Sequence, residues 1–329
     1  MSMDTKELNE IWEELKTQSK SMQSLIVRNT GTPGLSIAFD PISNSNKILL
    51  RVEEEWSEGM FPNWTGLHFS SEFFEVPISL PHIVLELTDD TFGEVFTFFC
   101  LDLIEKIADT NGSERDGRIQ ETVNSWNQFF LANRENLLTR EKQQGLFAEL
   151  DLLLRLLETG VMSNIDVISS WKGGERAYHD FQFENRVIEV KSTSSKEPKK
   201  VRISNEKQLY DDGIDSLQLL ATSLTTVEGG TRLIDLYEKL STILDEEDIT
   251  HDKLLIQIIK YGLLPEDFVK YQTGYNVLQR QYFVVEDGFS RIIVCPEGVG
   301  DLKYSITINT CNEYEVSEEV AFGGFMNGE

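Results

Sequence analysis

The stretch that decides the fold runs His179-Asp-Phe-Gln-Phe-Glu-Asn-Arg-Val-Ile-Glu-Val-Lys-Ser-Thr193. Polar and apolar residues alternate over 177–183, which is typical of a half-buried strand, and this strand carries the aspartate. The alternation resumes over 187–193 and places Glu189 and Lys191 on the same face of a second strand. The pattern therefore predicts two adjacent short strands that bear two carboxylates and a lysine.

The turn between these strands decides how the carboxylates face each other. If Glu184-Asn185 form a two-residue turn, paired positions sum to 369, so Asp180 lies opposite Glu189 and Tyr178 opposite Lys191. A three-residue loop would break this pairing. Directly opposed like charges destabilise a sheet unless a positive charge lies between them. A divalent cation would remove the repulsion, so the pair indicates metal-dependent phosphodiester chemistry or its relic.

A third carboxylate is expected from a helix predicted over 142–158 by its apolar spacing. Glu149 is flanked at helical intervals by leucines, so its side chain emerges from the apolar flank of the helix, where a surface glutamate is unusual. These leucines are Leu146, Leu152, Leu153 and Leu156. Asp151 and Glu158 lie on the opposite edge, where we expect them to be solvated.

Each of these features alone has a plainer interpretation. A Glu-X-Lys tripeptide on a strand is commonly a solvated ion pair on an exposed face. Glu149 by itself fits a glutamate at the edge of a buried stripe, and Trp171-Lys-Gly-Gly fits a turn with an anchoring aromatic ring. The functional interpretation rests on the coincidence of the helix, the aspartate and the Glu-X-Lys tripeptide in one order along the chain.

In that order the features resemble the PD-(D/E)XK, or restriction-endonuclease-like, superfamily of nucleases over about residues 140–215. The matching parts are a glutamate in a leading helix, a lone acid, the Glu-Val-Lys signature and a following helix: Glu149, Asp180, Glu189-Val190-Lys191, and a helix opening near Ser204 with Gln208. The chain looks most like a bacterial family of uncharacterised PD-(D/E)XK motif proteins, where Trp171-Lys-Gly-Gly and Gln208-Leu209 are also similar. His179 stands at the position of the proline in the superfamily name, a position that varies.

The resemblance implies an α/β (α+β) fold whose core is a mixed sheet flanked by helices. It also implies that Asp180, Glu189 and the backbone carbonyl of Val190 hold Mg²⁺ or Mn²⁺, which prefer oxygen ligands. Glu149 would complete that shell or hold a second ion. Lys191 would orient the attacking water and offset charge in the transition state. Gln208 would orient the lysine or contact the phosphate, whereas His179 is expected to be a packed side chain.

Net charge restricts where a nucleic acid could bind. The chain has 30 basic and 56 acidic residues, a net charge of −26, which repels a polyanion. Between residues 185 and 210, however, seven basic residues stand against three acidic ones, an excess of +4. We call this segment the basic island. It coincides with the predicted site, and its expected DNA contacts are Lys196, Lys199, Lys200, Arg202 and Lys207.

The C-terminal part has the opposite character. Residues 226–329 hold 19 acidic and 8 basic residues, a balance of −11. Such a surface suits a protein partner better than a nucleic acid, although an ordinary acidic surface is the more common explanation.

Length and composition bound the class of protein. A chain of 329 residues with 40% hydrophobic content can form two or three packed units. Met1-Ser-Met-Asp-Thr-Lys opens a polar helix rather than a secretory leader, and charged residues interrupt the most apolar helix, so no membrane association is expected. The cysteines lack metal-like spacing and predict buried thiols of a cytoplasmic protein: Cys100, Cys295 and Cys311.

Three regions are predicted along the chain: a β-rich module at 1–110, the nuclease-like core at 111–225 and an acidic α+β region at 226–329. The boundary signal is the polar segment Asn111–Arg118, in which no residue suits a buried position. Helices are predicted at about 4–19, 91–109, 142–158, 231–243 and 250–260, and N-terminal strands at 34–40, 47–52 and 83–87. The C-terminal region adds a hairpin, 282–285 and 291–294 around Asp287-Gly288, and a last strand from Tyr304.

Two functions follow as hypotheses. The first is a Mg²⁺-dependent nuclease that hydrolyses DNA, and the resemblance places it in a prokaryotic restriction or phage-defence assembly. The alternative is a catalytically silent nuclease-like fold that acts as a binding or scaffolding subunit. The complete set of expected catalytic residues favours the first, and the acidic surface favours the second.

Overall fold

The computed structural model describes residues 3–19, 25–74, 80–131, 137–160, 162–175, 177–194, 196–245, 249–294, 297–299 and 302–326. They group into two compact units. The first, here the N-terminal unit, comprises Met1–Asn136 and Glu247–Gly262, and the second, here the site unit, comprises Leu137–Glu246 and Leu263–Glu329.

The helices predicted with explicit bounds lie where apolar periodicity placed them, each within two residues of the expected ends. They are α1 (Thr5–Gln18), α2 (Gly93–Ile107), α3 (Gly112–Leu131), α4 (Arg140–Thr159), α5 (Asn164–Ser170), α6 (Leu233–Leu244), α7 (Ile249–Tyr261) and α8 (Glu318–Met326). Of these, α3, α5 and α8 have no counterpart among the helices predicted with explicit bounds. Caps explain several of the ends; Thr139, for example, accepts a side-chain hydrogen bond from the Lys142 N–H at the start of α4.

The N-terminal unit contains an antiparallel sheet of five strands in the order β1-β2-β3-β5-β4. The strands are β1 (Ile26–Asn29), β2 (Leu35–Asp40), β3 (Ser45–Arg51), β4 (Leu67–Phe74) and β5 (Leu80–Leu87). Aromatic rings of α1, α2 and α3 fill the core, with Trp12 stacked on Phe96 and Phe99 edge-on to Trp126. The strands predicted at 34–40, 47–52 and 83–87 therefore lie close to their expected positions.

The polar segment Asn111–Arg118 was expected to be an exposed boundary, and this expectation was wrong. Most of it forms the first turns of α3. Arg115 is 1% exposed, and its guanidinium donates to the carbonyl of Pro33 at 2.9 Å. Gly34, at φ +77°, permits this approach because a Cβ there would lie 2.7 Å from the arginine nitrogen. A single buried arginine thus ties the segment to the N-terminal unit.

The site unit is built on a mixed sheet, as the predicted fold class requires. Its order is β12-β10-β9-β7-β6, from strands β6 (Phe181–Phe183), β7 (Arg186–Thr193), β9 (Ser216–Thr231), β10 (Tyr275–Val284) and β12 (Glu315–Val316). The β7 and β9 strands are parallel, and the other pairs are antiparallel. A second small sheet pairs β8 (Lys200–Ile203) with β11 (Tyr304–Thr307), the predicted last strand.

The C-terminal residues do not form the separate region expected from sequence. β9 and β10 pair along the centre of the sheet that also holds β7, while α7 clusters with the N-terminal unit. The lysine of α7, Lys260, lies 3.3 Å from Asp102 in that unit, and both side chains are buried. Long-range pairing of this kind leaves no signal in local composition, and composition carried the three-region prediction.

The predicted hairpin around Asp287-Gly288 is also corrected. Its first strand is the end of β10, but residues 291–294 are not a strand. Both edges of β10 are already occupied at Tyr282 and Phe283, which pair with β9 on one side and β12 on the other. Arg291 instead anchors the segment by donating to the Leu209 carbonyl and to Asp211.

Asp151 was expected to be solvated, but it is buried. Both of its carboxylate oxygens accept hydrogen bonds from Arg280 of β10, at 2.6 and 2.7 Å. Glu158, on the same helix, is exposed as expected. The periodicity of α4 alone could not reveal a partner that lies 129 positions further along the chain.

We expect Asp151→Ala to destabilise the protein by about 2–3 kcal/mol, because it leaves a partly buried arginine without its carboxylate. Urea unfolding, with Glu158→Ala as the matched exposed control, measures the difference. The control should change the free energy of unfolding by no more than about 0.5 kcal/mol. Equal effects of the two changes would show that the Asp151–Arg280 pair contributes nothing to stability.

Two further predictions concern the cysteine thiols and membrane-spanning helices. Cys100 and Cys311 are buried free thiols, as predicted, and burial raises the pKa of Cys100 well above its ordinary value. Cys295 lies outside the described residues. Within the described part of the chain, no helix has both the length and the apolar character that a membrane crossing requires.

Candidate active site

The hairpin that carries the predicted site has the predicted register. Phe181 pairs with Ile188 and Phe183 with Arg186, so paired positions sum to 369. Glu184 opens the two-residue turn in the left-handed region, at φ +54°. The ladder ends at Phe181, the residue that follows Asp180, so the aspartate itself is not paired. The two-residue turn is therefore confirmed, and the pairing stops just short of the carboxylates.

Asp180 meets the second strand through its side chain instead. Its Oδ2 accepts a hydrogen bond from the backbone N–H of Val190 at 2.7 Å. Its own carbonyl accepts from the N–H of Lys172, also at 2.7 Å. The aspartate is thus held from both sides, beside the Glu-Val-Lys tripeptide.

Glu189 is fully buried, with 0% of its surface exposed. Its Oε1 forms a short ion pair with the ammonium of Lys191, two positions along the same strand face. Its Oε2 has no hydrogen-bond partner among the described residues. Leaving a buried polar atom without a partner costs about 1–3 kcal/mol, so such an atom calls for a functional explanation or a bound ion.

Glu149 reaches the same place from α4. The side chain is 6% exposed, and its Oε2 accepts a hydrogen bond from the indole Nε1 of Trp171 at 2.8 Å. The leucines that were expected to flank it are all buried. The helix prediction and the inward direction of Glu149 are therefore confirmed.

The side chains of the site are close enough to shift one another's pKa values: Glu149, Asp180, Glu189 and Lys191. Burial and the charge of Asp180 raise the pKa of Glu149 well above its ordinary value. The same two causes raise the pKa of Glu189 to about 8, and burial raises the pKa of Asp180. Burial would lower the pKa of Lys191, but the charges of Glu189 and Asp180 outweigh it and raise that pKa. Lys191 therefore keeps its positive charge among three carboxyl groups that resist ionisation.

The donor set suits a hard divalent cation in its chemistry. Two neighbouring carboxyl groups, Asp180 and Glu189, repel each other, and one oxygen is unpartnered, so a cation would relieve both penalties. Across the described ranges, however, no group of three or more His, Cys, Asp and Glu side chains is arranged to hold a metal ion. Glu149 is directed to Trp171, so the structure does not show the three predicted ligands in one shell.

Two predicted site residues, Gln208 and Val190, make hydrogen bonds other than the contacts predicted for them. The helix expected near Ser204 is one short 3-10 turn, Glu206–Leu209, and there Gln208 accepts a hydrogen bond from the backbone N–H of Ser204 at 2.9 Å. Val190 uses its N–H to hold Asp180. A role for Gln208 towards Lys191, and for the Val190 carbonyl as a ligand, stays a prediction.

His179 is buried, in agreement with its interpretation as a packed side chain. Its Nε2 has no hydrogen-bond partner among the residues described. Burial and the nearby charge of Lys191 lower its pKa, so the imidazole is neutral near pH 7.

Trp171 and Gly173 are site residues that sequence reasoning underestimated. The Trp171-Lys-Gly-Gly segment was interpreted as either a family feature or a simple turn. Trp171 is completely buried and bonds Glu149, and Gly173 lies so close that a Cβ there would be 2.2 Å from the Glu149 Oε2. A tryptophan followed by a lysine and two glycines, shortly before the aspartate, was the available signal.

The basic island lies on the site unit and largely faces solvent. Lys200 and Arg202 share the exposed face of β8, which alternates with the buried Val201 and Ile203. Lys199 donates to Gln279 and is half-buried, and Lys207 lies over the ring of Tyr178 and bonds its hydroxyl. The exposed members are Lys196, Lys200, Arg202 and Lys207.

A mixed sheet that carries a lone acid before one strand and Glu-Val-Lys on its partner defines a restriction-endonuclease-like protein. The chain belongs to the family described as "Putative PD-(D/E)XK family member, (DUF4420)", whose family model matches residues 8–309. This agrees with the superfamily that the sequence resembles. Comparisons with curated proteins and with solved structures gave no match.

Proposed function

We propose that the protein is a Mg²⁺- or Mn²⁺-dependent nuclease that hydrolyses phosphodiester bonds in DNA, within a prokaryotic restriction or phage-defence assembly. One observation carries the chemistry: the fully buried carboxylate of Glu189, paired with Lys191, has an unpartnered oxygen beside Asp180. A buried ion pair kept for stability would be expected to satisfy both oxygens. The DNA substrate and the assembly rest on the family resemblance and the basic island.

Each residue of the site would have a role that follows from its chemistry. Asp180, Glu189 and the carbonyl of Val190 would hold the cation, and Glu149 would complete its shell or hold a second ion. When bound, the cation lowers the pKa of the attacking water and withdraws charge from the phosphate. Glu149 would add its other carboxylate oxygen while Oε2 stays bonded to the indole of Trp171.

Besides the cation, the site would have a positive charge from the protein itself, the ammonium of Lys191. Its side chain is 15% exposed, so the ammonium can reach a phosphate oxygen or the attacking water from a largely dry position. In such a site, a fixed charge stabilises the developing negative charge more strongly than in water. Because its pKa is raised, the ammonium holds its proton throughout the reaction.

DNA would approach over the basic island. Lys200 and Arg202 extend from one face of β8, and Lys196 and Lys207 are exposed nearby in sequence. The net charge of −26 opposes any broader contact. We therefore expect weak binding that falls steeply with added salt, and delivery to DNA by a protein partner through the acidic regions.

The test is cleavage of supercoiled, linear and single-stranded DNA in Mg²⁺ or Mn²⁺ by the purified full chain. We expect Lys191→Ala to lower the rate by about 10²- to 10³-fold, as for other groups that stabilise transition-state charge. Glu158→Ala, an exposed change on α4, serves as the control and should cleave normally. Cleavage that survives Asp180→Ala, Glu189→Ala and Lys191→Ala would contradict the proposal.

A silent nuclease-like fold that binds or scaffolds partners is the second candidate. It is favoured by the acidic charge, −11 over 226–329, and by the fact that Glu149 is held by Trp171. Mn²⁺ binding measured by isothermal titration calorimetry separates the two candidates. The nuclease requires binding that Asp180→Ala and Glu189→Ala abolish, whereas a silent fold shows no such binding.

A further inference from the structure

Trp171 connects three parts of the site unit at one point. It follows the last residue of α5, and its backbone forms a bridge with Phe181 at the start of β6. Its side chain is completely buried, and the indole donates to Glu149 of α4 at 2.8 Å. An indole N–H can donate but not accept, and a buried indole N–H usually has an acceptor, which here is the carboxylate of Glu149.

Gly173 shows how closely the backbone packs on this hydrogen bond. A Cβ at position 173 would lie 2.2 Å from the Glu149 Oε2 and 2.5 Å from the Trp171 Nε1. Between the two residues, the N–H of Lys172 donates to the carbonyl of Asp180 at 2.7 Å. One short segment therefore contacts a carboxylate of α4 and the backbone of the aspartate before β6.

This contact matters because Glu149 lies among like charges. Asp180 and Glu189 both disfavour its ionised form, while the indole N–H and Lys191 favour it. Trp171 is a neutral donor to this carboxylate, and its rigid ring fixes the direction of the glutamate side chain. The direction of Glu149 is thus held by a group that would touch neither cation nor phosphate.

We infer that Trp171 is the positioning residue for Glu149, and that Gly173 provides the space for it. The inference rests on the proposed function and explains how the third carboxylate, Glu149, is held in its direction. Partners of a metal ligand that do not touch the ion typically change metal affinity by about 10- to 100-fold when they are removed. Trp171→Phe keeps an aromatic ring and removes the N–H, and we expect it to weaken Mn²⁺ binding by that factor.

The experiment measures Mn²⁺ binding by calorimetry on the full chain, with Trp12→Phe as the matched control. Trp12 is also buried, but its indole nitrogen has no hydrogen-bond partner among the described residues, so that change should leave Mn²⁺ affinity unaltered. If Trp171→Phe binds as the wild type while Asp180→Ala does not bind, the positioning role is wrong and the proposed function stands. If the wild type itself does not bind Mn²⁺, the proposed function fails first.

A spectroscopic readout keeps the inference testable if Trp171→Phe folds poorly. The chain has five tryptophans, so a ¹⁵N-labelled sample gives a small set of indole N–H signals. The signal of Trp171 should move in Glu149→Gln and again when Mg²⁺ is added to the wild type. A Trp171 signal that is unchanged at saturating Mg²⁺ would overturn the coupling between this hydrogen bond and the metal site.

Discussion

Glu189→Gln is expected to abolish cleavage and, at the same time, to stabilise the protein. Burial and the charge of Asp180 raise the pKa of the glutamate to about 8, so at pH 7 the folded protein holds a carboxyl group that resists ionisation. Glutamine keeps the shape without the charge. We expect a gain of up to about 3 kcal/mol at pH 7, at about 1.4 kcal/mol per pKa unit, and a loss of cleavage of at least about 10³-fold.

The same shift predicts how stability depends on pH. In the unfolded chain the glutamate titrates near its ordinary value of 4.5, whereas the folded protein holds the proton up to about pH 8. Stability from this group is therefore complete below about pH 4.5 and is lost as the pH rises towards 8. The raised pKa values of Asp180 and Glu149 act with the same sign.

Urea unfolding of wild type and Glu189→Gln between pH 5 and pH 8 measures both effects. The wild type should lose stability as the pH rises, and the variant should lose less. Glu158→Gln, an exposed glutamine substitution on α4, should follow the wild-type curve. A variant less stable than the wild type at pH 7 would mean that Glu189 and Lys191 form an ordinary stabilising ion pair, and the site would lose its main support.

Gly173→Ala is expected to damage both the fold and the site. Its methyl group would lie 2.2 Å from the Glu149 Oε2, so either the backbone or the carboxylate must move. Overpacking of a close-packed interior costs about 1–3 kcal/mol, and a buried carboxylate that loses its donor adds about as much again. We expect a destabilisation of about 3 kcal/mol and cleavage at or below the level of Glu149→Ala.

Thermal unfolding and the cleavage assay check this expectation together. Gly323→Ala is the control, because a Cβ at that helical position in α8 meets nothing within 4 Å. It should be neutral or slightly stabilising, since alanine favours a helix over glycine by up to about 1 kcal/mol. If Gly173→Ala melts and cleaves like the wild type, the close packing around Glu149 and Trp171 is not as the structure describes it.

Local rules were sufficient where the interaction partners lie close together in sequence. The two-residue turn at Glu184-Asn185 and the pairing of Phe181 with Ile188 follow from alternation with a period of two. Glu149 and its leucines follow from helical spacing. In both cases the residues that define the structure lie within about ten positions of one another, so the pattern is visible in a single segment.

Prediction failed where the partner is distant. Helical spacing predicted a solvated Asp151, but the carboxylate accepts hydrogen bonds from Arg280 of β10. The polar sequence around Arg115 predicted exposure, but the arginine is buried and donates to the Pro33 carbonyl. Residues 291–294 have strand-like composition but no free edge to join, because both sides of β10 are taken. Each error comes from a contact across 32 or more positions, which single-segment periodicity does not encode.

The sequence by itself determined the hairpin register, the inward face of α4 and the order of glutamate, aspartate, glutamate and lysine along the chain. It did so because these depend on the fixed periods of strand and helix. Tertiary structure alone decided where each carboxylate points: Asp180 to the Val190 N–H, Glu189 to Lys191 and Glu149 to Trp171. Those directions depend on which donors the folded chain brings within about 3 Å, and on the space that Gly173 leaves for them.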